Sequence, residues 1–302
     1  MLWEGGWPRL ASRCRGRDLL LLGQSKGSGK STAVDILAQY LQAEAGGVAL
    51  LSIGCERTLK GGQELPEGEF RLRGGEIVLT TLAHIKRAHL PVEILEVFPA
   101  RRNLGGLILG RVQRPGRLSL VGPEHLSELE RIVNFVRQRQ LARTVLIDGA
   151  SHRLTPAAAW EGLDFLLTLR LEPHTLESNC APLALWEWAA QTPVVTDLKW
   201  RESYAPLEGA VDWQGPLSSA QLANLPPRWR YLRLEDVSKL FLTPNERRAL
   251  ASQGQIFWAR PLRPLAILVG ASHLSPAQLL EWAGQFPHLP LFLQPLASTA
   301  HG

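Results

Sequence analysis

The chain has 302 residues, 45% hydrophobic and 20% charged, with a formal net charge of +5. That composition suits one or two globular domains with a large buried core and does not describe a disordered or membrane chain. No apolar run approaches the roughly 20 residues that span a bilayer, and the N-terminus shows basic residues and a four-leucine run without a cleavage pattern.

A cytoplasmic location with no membrane partner is therefore expected. The positive charge invites an anionic partner, but the arginines are scattered (13, 15, 17; 71, 73; 101, 102; 228, 230, 233). On no evident strand face do they interleave with aromatics as a single-stranded nucleic-acid platform requires, so nucleic acid is a possible partner but is not indicated. Cys14, Cys55 and Cys180 fit neither a disulfide framework nor metal-ligand spacing.

In chain order, Asp18–Gly23 (DLLLLG) reads as a buried strand ending in a glycine turn. Lys30–Leu41 carries a helical apolar stripe, and Gly47–Gly54 is the next buried strand. Strand, glycine loop, helix and strand form a βαβ unit, which implies a parallel sheet. The middle is β-rich, with strand patterns at Gly74–Leu82, Val92–Phe98, Leu104–Val112 and Arg117–Gly122. Gln113–Gly116 (QRPG) is a turn between the last two. Glu124–Gln140 reads as a helix and Thr144–Ala150 (TVLIDGA) as another buried strand.

Beyond it, Trp160–Arg170 holds a helix-to-strand passage, Pro182–Gln191 is helical in pattern, and Pro193–Leu198 (PVVTDL) is a strand candidate. Leu265–Phe286 reads as strand, loop and helix. GASHRLTPA (149–157) and GASHLSPA (270–277) echo each other, each with a Thr or Ser before a proline, the signature of a capped helix start. The expected architecture is α/β: a P-loop NTPase-type, mostly parallel sheet flanked by helices, with the β-rich middle section and a C-terminal α/β extension. Residues 1–170 would form the nucleotide-binding core, and 171–302 would pack on the same sheet or continue it.

The chemistry centres on GQSKGSGKST, Gly23–Thr32. In the P-loop pattern G-x-x-x-x-G-K-[ST], backbone amides and a helix N-terminus converge on an anion. Glycines permit the close approach, the lysine bridges the β- and γ-phosphates, and the hydroxyl after it binds Mg²⁺. Gly27, Ser28, Gly29, Lys30, Ser31 and Thr32 fill the positions nearest the phosphates. Only the outermost glycine is displaced: Gln24 stands where the pattern has glycine, and Gly23 comes one residue early. The second lysine of partitioning-type ATPases is not matched, because Lys26 lies four residues before Lys30 rather than five.

Asp148, closing the apolar run VLID, is the carboxylate expected to hold the Mg²⁺ shell together with Ser31. Gly149 follows it in place of the adjacent glutamate base of many ATPases. Glu56, just past the second strand, is the candidate base, since the carboxyl ends of parallel strands face the ligand crevice. Arg57, Arg101 and Arg153 are candidates to neutralise transition-state charge, while His152 and His273 read as turn residues. The absence of N-K-x-D favours ATP over GTP.

Several segments, LLSIGCER, GGEIVLTTLAHI, VEILEV, LGGLILGRVQRPGRLSLVGP and TVLIDGASHR, occur in one order over about residues 19–170. Together they resemble the nucleotide-binding subunit of the lysine aminomutase reactivase system. The resemblance implies an ATP-dependent accessory protein acting on a cobalamin- and pyridoxal-phosphate-dependent aminomutase. An acidic stretch follows the second strand in that family; here it is CERTLKGG, with Glu56 the one acid close by. Three functions fit the residues: an ATP-hydrolysing switch on a partner protein, a kinase passing the γ-phosphoryl to a small molecule or polynucleotide 5′ end, and a non-hydrolysing nucleotide-binding module.

Overall fold

The computed structural model describes residues 6–25, 27–43, 46–54, 57–60, 63–66, 69–99, 106–149, 155–160, 162–271 and 273–295. It begins with α1 (Gly6–Cys14), β1 (Asp18–Gly23), α2 (Lys30–Gln42), β2 (Val48–Ser52) and the hairpin β3 (Arg57–Lys60) and β4 (Gln63–Pro66). Then come β5 (Phe70–Leu72), β6 (Ile77–Thr81), α3 (Leu82–Ala88), β7 (Val92–Phe98), β8 (Leu107–Val112) and β9 (Gly116–Leu118). The run closes with α4 (Leu126–Gln138), β10 (Thr144–Asp148), α5 (Thr155–Ala159) and β11 (Asp164–Leu171).

Next follow α6 (Leu176–Gln191), α7 (Asp197–Ser203), β12 (Ala210–Trp213), β13 (Leu217–Ser218), α8 (Ser219–Leu222) and β14 (Tyr231–Leu234). After β15 (Leu240–Phe241), α9 (Pro244–Gln253) and β16 (Gln255–Trp258) come β17 (Ala266–Ala271), α10 (Pro276–Gly284) and β18 (Leu291–Pro295). Among the described residues no helix is long and apolar enough to cross a membrane.

Two compact units divide the chain. The first runs to Arg170 and takes in Leu265–Gly270 and the chain from Phe292. It is built on a nine-stranded sheet in the order β18-β17-β11-β1-β10-β2-β6-β8-β7. Strands β11, β1, β10, β2 and β6 are mutually parallel, while β8 is antiparallel to both β6 and β7. The sheet is thus mixed but mostly parallel in its central strands, with helices packed on it.

The sequence explains the parallel part directly. Strands covered on both faces read as continuous apolar runs rather than alternations, and Leu19–Leu22, Val48–Leu51 and Val145–Ile147 are all buried. The α2 stripe Ala33, Val34, Leu37, Ala38 and Leu41 shares one core with Trp7, Leu10, Ala11 and Cys14 of α1. Trp7 meets Phe292 of β18 edge to face at 5.2 Å. Helix α4 buries Leu129, Ile132, Val133 and Val136. At the sheet edge β7 keeps Ile94 and Val97 exposed and carries a register shift between Ile94 and Glu96.

Leu171–Pro264 and Ala271–Leu291 form the second unit. Its sheet is three parallel strands, β12-β14-β16, with a two-stranded parallel pair β13-β15 beside it in the chain order. Val195, Trp200 and Phe257 form a small core with Tyr204, Ala210 and Tyr231 packed against it. Arg233 of β14 is buried there. It donates to Val195 O at 3.2 Å and to Asp212 at 3.0 Å, and it also pairs with Asp197.

Local chemistry overrides several sequence expectations. PVVTDL is not a strand: only Val194 bridges Trp258, and Thr196 caps α7 by accepting from Lys199 N. Helix α6 starts upstream of Pro182 and runs through it. Past the QRPG turn, β9 pairs antiparallel with β5. Leu82–Ala88 is helical, with Thr81 as its N-cap accepting from His84 N. Ser275 does cap α10, in a capping box with Gln278 and proline in the first turn.

Candidate functional site

Parallel pairing brings the carboxyl ends of β1, β10 and β2 to one edge. Asp148 stands opposite Leu21 on one side and Ser52 on the other, while Gly23 pairs with Thr168 of β11. The loop from β1 to α2 therefore emerges between Asp148 and Thr168.

Its first residues resolve the displaced glycine. Gln24 N donates to Thr168 O at 3.0 Å, so the strand pairing continues one residue past β1. Gln24 is not among the described residues with positive φ, and no glycine is required of it. Gly23 is the crowded position, since a Cβ there would lie 2.7 Å from Ser28 Oγ and would displace it. That hydroxyl lies 2.8 Å from Thr168 Oγ1, which in turn donates to Leu22 O at 3.2 Å. Ser28, Thr168 and the β1 backbone thus form one buried chain of hydrogen bonds that anchors the loop. Ser28 spends its side chain on this scaffold and has its backbone amide bonded to Ser25 O.

The turn itself is made by glycine. Gly27 has φ of 80° and Gly29 of 90°, the left-handed region that glycine reaches without strain. Gly29 is the N-cap of α2 and provides no side-chain cap, which leaves first-turn amides to a ligand or solvent. Ser31 and Thr32 are exposed in that first turn. A helix N-terminus entered through left-handed glycines is the arrangement that favours an anion.

Lys30 completes the site. Its Nζ donates to Gly149 O and lies 3.1 Å from Asp148 Oδ1. The two side chains are only 12% and 17% exposed, so each charge is largely withdrawn from water and answered by the other. The main chain around Asp148 is fixed as well: its carbonyl accepts from Ile53 N at 3.1 Å and Ser52 Oγ at 3.4 Å. Gly149 N donates to Leu21 O at 3.0 Å, and a Cβ at Gly149 would lie 2.8 Å from that same oxygen. Backbone crowding thus disfavours any side chain, a glutamate included, directly after Asp148.

Of the sequence-selected residues, Gly27, Ser28, Gly29, Lys30, Ser31 and Thr32 lie on the loop and first turn, with Asp148 joined to them through Lys30. Glu56 lies outside the described residues, as do Lys26, Arg101, His152 and Arg153. The chain leading to it is firmly placed: Gly54 N donates to Pro123 O at 2.8 Å and Gly122 N to Gly54 O at 3.0 Å. His273 is an exposed residue at φ 60°. Sequence reading missed Thr168 and Gly122. The first could have been found as the single uncharged polar residue inside the apolar run FLLTL.

Among the described residues no group of three or more His, Cys, Asp or Glu forms a metal cage. Mg²⁺ bound with a nucleotide asks for less, typically one or two carboxylates plus phosphate oxygens and waters. Asp148 at the strand end and the Ser31 hydroxyl are a donor set of that kind. In comparisons with known proteins, no family model, no curated protein and no solved structure matched the chain.

Proposed function

We propose that the chain binds ATP with Mg²⁺ at Gly27–Thr32 and hydrolyses it as an accessory switch on a partner enzyme. The observation that carries this reading is the Lys30–Asp148 pair, 3.1 Å apart at the edge where the glycine loop leaves β1. A cation at the first turn of an uncapped helix and a carboxylate on the neighbouring strand are what a phosphate chain and its counter-cation need. The exchange conserves charge: a phosphate gives Lys30 a new anion as the metal gives Asp148 a new cation. Bound Mg²⁺ would neutralise charge on the β- and γ-phosphates.

In this reading the amides of Gly27 and Gly29–Thr32 cradle the phosphates, Lys30 bridges the β- and γ-groups, and Ser31 and Asp148 hold the metal shell. Glu56 is assigned as the base that orients water. An aminomutase is the partner suggested by the sequence resemblance, and the fold is then read as a P-loop NTPase.

Calorimetric titration with Mg²⁺–ATP and an assay of phosphate release test this. Saturable binding is expected, lost in Lys30→Ala, with Asp148→Asn impairing turnover more than binding. Unchanged affinity in Lys30→Ala would overturn the reading. ATP consumption only when a hydroxyl acceptor is added would replace hydrolysis with phosphoryl transfer.

A further inference from the structure

The second unit contains a buried arginine that differs from every other deeply placed charge around it. Arg247 on α9 is 7% exposed. Among the described residues its guanidinium has no ion pair or hydrogen bond, and its Nε is sealed from solvent without a partner. Arg233, also buried, has three partners in Val195, Asp212 and Asp197. Glu246 beside Arg247 makes no ion pair with it; its Oε2 accepts instead from Thr243 N and Oγ1 in the capping box of α9. Burial pushes the Arg247 pKa down from its usual value, but an arginine stays charged at neutral pH.

This unanswered cation lines a surface cleft of about 250 Å³. The rest of the lining is Ala184 and Trp188 of α6 with Pro244, Arg248 and Ala251 of α9. Arg248 is already bonded to Asn245 Oδ1 at 2.6 Å. Trp188 is held in orientation by an edge-to-face contact with Trp258 at 5.3 Å. We propose that this cleft binds a small organic carboxylate with an apolar body, its carboxylate on Arg247 and its body against Trp188.

The chemistry selects that class. A guanidinium fork matches a planar carboxylate with two parallel hydrogen bonds. Apolar walls penalise a strongly hydrated phosphate dianion but welcome an aromatic or short aliphatic group. The volume falls below the roughly 300–1,000 Å³ of drug-sized pockets, which points to a small acid. The proposal is independent of the nucleotide reading, since it uses only residues of α6 and α9.

Calorimetry on the full chain with phenylacetate, and with phenylacetamide and phenyl phosphate as comparisons, tests it. Saturable 1:1 binding of phenylacetate is expected, at least tenfold tighter than either comparison. Arg247→Met should abolish that binding and raise the unfolding temperature of the acid-free protein, because it removes a buried charge without a partner. If Arg247→Met does not fold, Ala251→Leu must weaken phenylacetate binding at least tenfold by narrowing the cleft with the guanidinium in place. Absence of saturable phenylacetate binding would overturn the proposal. So would equal affinity for phenylacetamide, tighter binding of phenyl phosphate, or unchanged affinity in Arg247→Met.

Discussion

Ser28 Oγ lies 2.8 Å from Thr168 Oγ1, joining the glycine loop to a strand 140 positions away in sequence. Both side chains are buried, and the Ser28 hydroxyl relies on Thr168 Oγ1, which itself donates to Leu22 O. Thr168→Val keeps the shape and removes the partner. A loss of about 1–3 kcal/mol in urea unfolding is expected, the cost of leaving a buried polar group unpaired. Thr168→Ser should recover most of it. If the loop holds a nucleotide, ATP affinity should fall severalfold in Thr168→Val alone. Wild-type stability in that variant would show that the pair does not anchor the loop.

Lys30 and Asp148 should couple energetically. Removing one partner of a buried pair costs about 3–5 kcal/mol when the other is left without compensation. Here both side chains retain some exposure, so a smaller loss, about 1–3 kcal/mol, is expected for Lys30→Met or Asp148→Leu singly. The double variant should lose less than the sum of the two. Thermal unfolding of all four proteins gives the coupling directly, and strict additivity would mean that the two charges do not interact.

Gly149→Glu, which would restore an acid after Asp148, is expected to destabilise the protein and not to raise ATP turnover. A Cβ at this position would lie 2.8 Å from Leu21 O and 2.9 Å from Leu20 Cδ1. Gly122→Ala should be worse, because its Cβ would lie 1.6 Å from Ser52 O. Soluble yield and melting temperature check both, and a native-like melting temperature in Gly122→Ala would contradict the packing described for the loop after β2.

Glu76 supplies a pH test. It is fully buried, and burial pushes its carboxyl pKa up, partly opposed by the Arg73 backbone amide and guanidinium. The folded chain therefore holds this proton more tightly than the unfolded chain. The stability it contributes is present in acid and lost as pH rises from the ordinary carboxylate value through the folded one. Glu76→Gln cannot ionise, so its stability relative to wild type should improve between pH 4 and pH 8. Melting curves at the two pH values measure this, and a difference that stays constant with pH would remove Glu76 as a titrating group.

Cys14 should be chemically silent. It is fully buried on α1, and burial pushes its thiol pKa up to about 12, so thiolate is scarce at neutral pH. With Cys55 and Cys180 replaced by serine, a disulfide reagent at pH 8 should find no reactive thiol until denaturant is added. Rapid labelling under native conditions would show that α1 opens readily.

The parts of this fold legible in the sequence were those where one local rule governs. Continuous apolar runs such as DLLLLG and TVLID are read correctly because both faces of a parallel strand are covered. The α2 stripe follows from helical periodicity, and Ser275 before Pro276 marks a helix start. What was not legible depends on distant partners. Whether β9 pairs with β8 or β5 is decided by tertiary contacts. PVV looks like a strand until Thr196 turns to cap a helix. Gln24 looked anomalous against a motif, but its pairing with Thr168 could be seen only once β11 was known to lie beside β1.

The return of the chain to the nine-stranded sheet sets where it can be cut. Strands β17 and β18 come from beyond Pro264, so a fragment ending at Arg170 would lose both and leave β11 with a bare hydrogen-bonding edge. Such edges recruit other strands and promote aggregation. The chain departs after Leu171, at the far end of β11, and Leu265 N then bonds to Phe165 O near its beginning at 2.8 Å. A graft replacing the intervening residues must therefore cross about 20 Å of strand, roughly six extended residues at 3.3 Å each. Residues 172–264 lie between neighbouring strands of that sheet, so a bridge of at least that length is needed for the sheet to close without them, and Ala271–Leu291 would be left without the rest of its unit.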